Sequence, residues 1–268
     1  MPAFIPESEA NVGMVEVFAV ASGKGGTGKT TSTMALGMAL ADEYDVTVID
    51  ADTGMANMLF HAGLADADTS LHDVLAGDAP VEAAVYNRFG MAVVPCGTSL
   101  SGFQQAEPDR LRTVVATLAA DTDVILLDSP AALGSRSAVL PIVLADSVVV
   151  VLQPTIPSLS DGLKVQEYAT TYGTEVAGIL FNRVTEDEAI DRVTTKTEQY
   201  FEGETLATVP ESDAVRAARR AGEPLLAHAP ESTPAAAYRE AATRLTVHDR
   251  PVDPVADRFR SAVIPDHS

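Results

Sequence analysis

The stretch that most constrains this chain runs from Val15 to Thr31. An apolar run, Val15 to Ala21, stops at Ser22-Gly23-Lys24-Gly25-Gly26-Thr27-Gly28-Lys29-Thr30-Thr31, and a helical pattern follows. Gly23 to Thr30 satisfy G-x-x-x-x-G-K-[ST] in full, with the strand before and the helix after that give the motif its meaning. Glycines permit positive φ and carry no Cβ, so successive backbone N–H groups can curl round phosphate oxygens at the positive end of the helix. Lys29 supplies a point charge for β- and γ-phosphates, and the Thr30 hydroxyl is a hard oxygen ligand for Mg²⁺. Gly23, Lys24, Gly25, Gly26, Thr27, Gly28 and Thr31 complete the expected phosphate cradle.

Downstream, strand-like and helix-like segments alternate. Strands are expected at Val46 to Ile49, Met91 to Val94, Asp123 to Leu127, Ser147 to Leu152, Val176 to Phe181 and Thr205 to Val209. Helices are expected at Thr30 to Ala41, near Leu71 to Ala76, at Glu107 to Ala120, and from near Glu211 to Gly222. Continuous apolar strands between helices imply an α/β fold with a mainly parallel sheet covered on both faces. In such sheets ligands sit at the carboxyl ends of the strands. Two strands end there in aspartate, at Asp50-Ala51-Asp52 and Asp128-Ser129-Pro130. An apolar run ending in Asp beside a phosphate loop suits the water shell of Mg²⁺, and Asp128 is the residue chosen for that role.

Lys24 is a second lysine in the loop, beyond what one triphosphate needs. In this the loop resembles that of the MinD/ParA family of P-loop ATPases, whose deviant pattern carries a signature lysine. The resemblance implies that Lys24 reaches across a dimer interface to the nucleotide held by the partner subunit. Asp50 and Asp52 are similar to the Asp-x-Asp of the MinD group, with Asn57 at the position of its Asn. It follows from the resemblance that Thr30, Asp50, Asp52 and Asp128 surround the metal, and that Asp52 orients the attacking water beside Lys29 and Lys24. Asn182 and Arg183, after Phe181, and Pro210 and Glu211, after Val209, fall where the family meets the base. No Asn-Lys-x-Asp segment for guanine is present, which favours ATP. Gln153 to Asp161 resemble the family's interface segment.

The likeness runs from Val15 to about Leu245. It implies a switch that forms a homodimer around ATP and Mg²⁺, hydrolyses the nucleotide, answers to an unidentified protein partner, and positions a cellular structure. The alternatives are a ParA-type partitioning ATPase acting on DNA and a scaffold that holds nucleotide without hydrolysing it.

Composition narrows these choices. The chain has 268 residues, 46% of them hydrophobic, enough for one well-buried domain, expected over residues 15–247. Acidic residues outnumber basic ones 38 to 18, for a net charge of −20. Such a surface repels nucleic acid and acidic lipid, so nucleic acid is not an expected partner. It fits a cytoplasm of very high salt, where the Debye length shrinks to a few Å. One cysteine, Cys96, excludes an intrachain disulfide and cysteine-pair metal sites. Residues 1–14 have no basic residue and no apolar core, and are expected to be a disordered extension of a cytoplasmic protein.

In the tail, residues 248–268, Val255, Phe259, Ala262 and Val263 share a helical face. Asp253, Asp257 and Asp266 make it a weak membrane anchor. Arg216, Arg219 and Arg220 read as charges at the negative end of a helix, with a DNA-binding patch as the alternative. The five histidines show no metal-ligand spacing and carry no assigned role.

Overall fold

The computed structural model describes residues 15–131, 133–185 and 199–248, with the single positions 193, 195 and 197. The expected extension at residues 1–14, the tail beyond 248 and its apolar face lie outside the described residues.

Strand β1 (Glu16–Ala21) is buried along its length and feeds two cores. Val17, Ala19 and Ala21 face one, Phe18 and Val20 the other, as the two-residue period of a strand requires. The described residues place it inside an eight-stranded sheet of order β3-β4-β2-β5-β1-β6-β7-β8. The remaining strands are β2 (Val46–Asp50), β3 (Tyr86–Arg88), β4 (Met91–Val94), β5 (Val124–Asp128), β6 (Ser147–Leu152), β7 (Glu175–Val184) and β8 (Thr205–Pro210). Neighbouring strands run parallel except for β3 against β4.

Helices cover both faces. The first core takes Leu71 and Leu75 of α3 (Leu71–Ala76), Val114 and Val115 of α5 (Leu111–Leu118), Leu140 and Val143 of α6 (Arg136–Leu144), and Val165 of α7 (Ile156–Tyr172). The second takes Met34 and Leu36 of α1 (Lys29–Leu40) and Met58 of α2 (Met58–His61). It also takes Leu225 of α9 (Leu225–His228) and Tyr238 of α10 (Thr233–Arg244). Helix α8 (Asp213–Ala221) packs Ala214 and Val215 against this second core. Helix α4 (Leu100–Gln105) buries no residue. The apolar faces explain the strand composition: a strand covered on both sides has no polar alternation to show.

Two expectations change, at the start of the helix expected from Glu107 and at the end of β7, while β6 takes the expected bounds. The segment expected as one helix from Glu107 begins with a tight turn, Pro108–Arg110, before α5. Pro108 brings no N–H, and Arg110 N–H donates to the Glu107 carbonyl at 3.0 Å across that turn. The apolar run from Val139 to Leu152 is two elements, α6 and β6, divided at Ala145-Asp146. There the buried Asp146 carboxylate accepts from Val17 N–H at 2.9 Å.

Strand β7 runs on to Val184 instead of ending at Phe181. Its pairing with β8 skips Arg183, which has φ 57°, so Arg183 is a bulge residue in the left-handed region. The β3–β4 hairpin adds an antiparallel edge that the sequence pattern did not announce. It turns through Phe89 and Gly90, with φ of 54° and 81°.

Candidate functional site

The strand order decides where the site lies. β1 sits between β5 and β6, and the chain leaves it first towards β2 and later towards β6 and β7, which opens a crevice at the carboxyl ends. The glycine-rich loop occupies that crevice. Gly28 caps α1 with φ 98°, and a Cβ there would run into the Asn182 amide, so the position requires glycine on two counts.

The register of β2 and β5 places Asp50 directly opposite Asp128, one strand from the loop. The Thr30 hydroxyl donates to Asp128 Oδ2 at 2.6 Å, and the Thr33 hydroxyl, one turn further along α1, lies 3.2 Å from Oδ1. Asp50 is a buried acceptor for three backbone amides, those of Asp52 at 3.2 Å, Asn57 at 3.3 Å and Met58 at 3.1 Å. It thus closes the loop that carries Asp52, whose own Oδ1 accepts from Met55 N–H at 3.0 Å. The Lys29 ammonium is buried and 3.4 Å from the Lys24 carbonyl, so the loop folds back over its own lysine.

Electrostatics in this cluster are unfavourable. Burial pushes the Asp128 carboxyl up to about 6 from 3.8, against the Thr30 hydrogen bond and Lys29. Burial, then the Asp128 charge, push Asp50 well above the usual carboxylate range. Burial also holds the Lys29 ammonium below its usual value despite Asp128 and Asp52. One buried ammonium faces the carboxylates of Asp128 and Asp52, with Asp50 buried beside Asp128, an arrangement that a divalent cation would relieve.

The expected cofactors fit what is present. Thr27 Oγ1 in the loop and Ser129 Oγ beside Asp128 are buried without a hydrogen-bond partner, polar atoms of the kind a phosphate or its ordered water satisfies. Among the described residues no three His, Cys, Asp or Glu side chains form a metal cage. A threonine hydroxyl backed by aspartates is instead the donor set for a cation that keeps most of its water.

The structure brings together Gly23 to Thr30, Asp50, Asp52 and Asp128. Thr31 lies in the first turn of α1, and Asn57 caps α2. Asn182 is buried, and its amide donates to the Thr27 carbonyl at 2.8 Å while Arg183 N–H donates to Asn182 Oδ1 at 2.9 Å. The bulge therefore aims Asn182 at the phosphate loop. Glu211 continues the β7 pairing through its N–H to the Val184 carbonyl, and its carboxylate meets Arg216 at 3.1 Å. Arg216 also pairs with Asp213 at the start of α8, so of the three arginines only Arg219 and Arg220 lie in the last turn, at the negative end.

Sequence reasoning missed two contributors: Thr33, detectable as the hydroxyl three residues after Thr30 on the same helix, and Ser129, which gives no motif signal. A groove of about 830 Å³ lies at the opposite, amino ends of β2 and β4, lined by Asp45, Asn87 and Phe89, far from this chemistry. A smaller cavity of about 300 Å³ flanks the Asp52 loop, between Met55, His72, Leu100 and Phe103.

The family model of the CobQ/CobB/MinD/ParA nucleotide-binding domain matches residues 18–225. The chain belongs to this family. It is 38% identical to an uncharacterized ATP-binding protein of Methanocaldococcus jannaschii over 234 residues, 87% of this chain and 88% of the relative. Among solved structures it is similar to the cell division ATPase MinD of Pyrococcus furiosus, with TM-score 0.80 and 33% identity, covering 86% of this chain and 98% of that one. It is similar also to the septum site-determining protein MinD of Pyrococcus horikoshii complexed with Mg-ADP. There the TM-score is 0.78 and the identity 32%, covering 85% of this chain and 95% of that one. The MinD/ParA-type sheet and loop are thus shared over nearly the whole described chain.

Proposed function

We propose that this chain is a Mg²⁺-dependent ATPase of the MinD kind: ATP joins two copies, hydrolysis separates them, and the cycle positions a larger cellular structure. The observation that carries this reading is the convergence of Lys29, Thr30, Asp50, Asp52 and Asp128 at the carboxyl ends of β1, β2 and β5. The Mg-ADP complex of a MinD with 32% identity supports the choice of ligand.

Magnesium, when bound, would supply positive charge against the charge that develops on the phosphates. Thr30 would hold it, with Asp128 and Asp50 behind the hydroxyl. Backbone amides of Gly25 to Lys29 orient the phosphates, and Lys29 stabilises the transferred group. Asp52 orients the attacking water. Lys24 is half-buried, and none of the described carboxylates forms an ion pair with its ammonium, which leaves that charge for a nucleotide held by the second copy.

Among the described residues no helix is long and apolar enough to cross a membrane. Attachment through the tail is tested by ATP-dependent sedimentation with liposomes, which deletion of residues 254–268 should abolish.

The deciding experiment is mass in solution at molar KCl with Mg²⁺, with ADP and then ATP, for the wild type, Lys24→Ala and Asp52→Ala. The expected result is a dimer with ATP alone, absent in Lys24→Ala and longer-lived in Asp52→Ala. A mass indifferent to nucleotide in all three removes the dimer switch. Salt-dependent DNA binding by the ATP form would move the reading to a partitioning ATPase.

A further inference from the structure

His72 lies on α3, outside the phosphate loop and its carboxylates, and is 3% exposed. Its Nε2 is 2.9 Å from the carbonyl oxygen of Thr53, the residue that follows Asp52. A carbonyl only accepts, so Nε2 carries the proton and the ring donates. Nδ1 is then a bare acceptor, buried with no hydrogen-bond partner. Unpaired buried acceptors are costly and rare, so a ring kept in this state needs a reason.

The surroundings fix the ring in place. Gly97 and Gly102, in the segment after β4, abut Nδ1, and a Cβ on either would stand 3.0 Å from that atom. The absence of side chains at the two glycines leaves room for the ring, which sits between them with Nε2 towards Thr53.

The loop it touches is held unevenly. Asp50 grips the amides of Asp52, Asn57 and Met58, while Gly54 and Met55 between them are exposed, Met55 at 76%. The Thr53 carbonyl is the point at which α3 reaches into this span. We propose that His72 is a positioning residue: by holding Thr53 it sets the direction of the Asp52 carboxylate towards the attacking water. The role of Asp52 in hydrolysis rests on the function proposed above; the tether itself does not.

The test compares His72→Leu, which fills the space without a donor, with His72→Gln, whose amide nitrogen reaches about as far as Nε2. Steady-state ATPase kinetics should show kcat about tenfold lower in His72→Leu with KM for ATP unchanged, and most of the loss recovered in His72→Gln. Hydrogen exchange on the nucleotide-free protein should show the amides of 52–57 exchanging about tenfold faster in His72→Leu and near the wild-type rate in His72→Gln.

If the wild type binds ATP without hydrolysing it, the proposed function fails, and the exchange experiment still decides the tether. Loss of kcat, KM and melting temperature together in both variants would assign His72 to packing. Unchanged exchange in His72→Leu would show that Thr53 needs no tether. Either outcome overturns the proposal.

Discussion

His61 provides the sharpest test of the electrostatics. It is 8% exposed at the end of α2, and burial, followed by the charge of Arg219 on α8, holds its imidazole down at about 4 instead of 6.5. The folded state stays neutral at this site until about pH 4, while the unfolded chain takes a proton at about 6.5. Between those values the unfolded state binds more protons, so the His61 contribution is full above pH 6.5 and is lost as pH falls towards 4.

From pH 7 to 4.5 the loss is about 2.4 kcal/mol, since each unit of separation is worth about 1.4 kcal/mol. Asp128 acts in the opposite direction. Its folded value of about 6 against 3.8 means that the folded state gains protons first as pH falls. The gain over the same range is about 2 kcal/mol, so the two nearly cancel in the wild type. Asp50, also pushed upward, adds to the Asp128 side, so a single pH profile mixes these contributions and a difference is required.

Thermal unfolding of the wild type and of His61→Gln at pH 7 and 4.5, in molar KCl, isolates the histidine. Any fixed cost of the substitution appears at both pH values. The fall in melting temperature on acidification should be smaller in His61→Gln by about 5–10 °C, taking about 2–4 °C per kcal/mol for a domain of this size. Molar salt shortens the reach of Arg219 but leaves burial, the larger cause, intact. Equal falls in the two proteins would refute the assignment of a depressed imidazole to this site.

Asp128→Asn removes a strained buried charge. It should raise the nucleotide-free melting temperature at pH 7 by about 3–6 °C, yet abolish the further rise that Mg²⁺ and ATP give the wild type. Gly28→Ala forces a Cβ into a left-handed position against the Asn182 amide. The expected cost is about 1–3 kcal/mol by chemical denaturation, together with loss of nucleotide affinity by titration. For a chain of net charge −20, the melting temperature should climb as KCl is raised from dilute to molar, and a flat or falling trend would reject the high-salt reading.

The fold was legible wherever burial left only one pattern. β2, β4, β6 and β8 are covered on both faces or most of both, and their apolar runs show within a residue of the observed bounds. Legibility failed where patterns merge or are too short. α6 went unread because Arg136 to Leu144 runs into the apolar strand β6 with only Ala145-Asp146 between them, and periodicity alone does not tell a short apolar helix from a strand. β3 has three residues, none of them buried, and its turn uses Phe89 in a conformation for which Asn or Asp is the usual signal.

The site was legible in part because phosphate binding uses backbone, and backbone demands leave glycines in the sequence. The residues that hold the loop leave no such mark. Asn182 follows an apolar run like any turn residue. Only the bulge at Arg183, a left-handed non-glycine costing about 1–2 kcal/mol, shows it aimed at the Thr27 carbonyl.

The same end of the sheet gathers further violations of local preference: two carboxyls pushed upward, an ammonium held down, and Thr27, Ser129 and His72 each with a buried atom unpaired. At the amino ends of β2 and β5 the acidic residues are partnered: the Asp123 carboxylate accepts from Asp45 N–H at 2.9 Å. A folded chain tolerates strain concentrated at one end of one crevice when a ligand relieves it. On the proposed function, a magnesium nucleotide would offset the carboxylates, engage the ammonium and supply partners to the free hydroxyls, all at once. Stability and ligand binding are on this account one linked equilibrium, in which the cost stored at Asp50 and Asp128 becomes selectivity for the cation-loaded state.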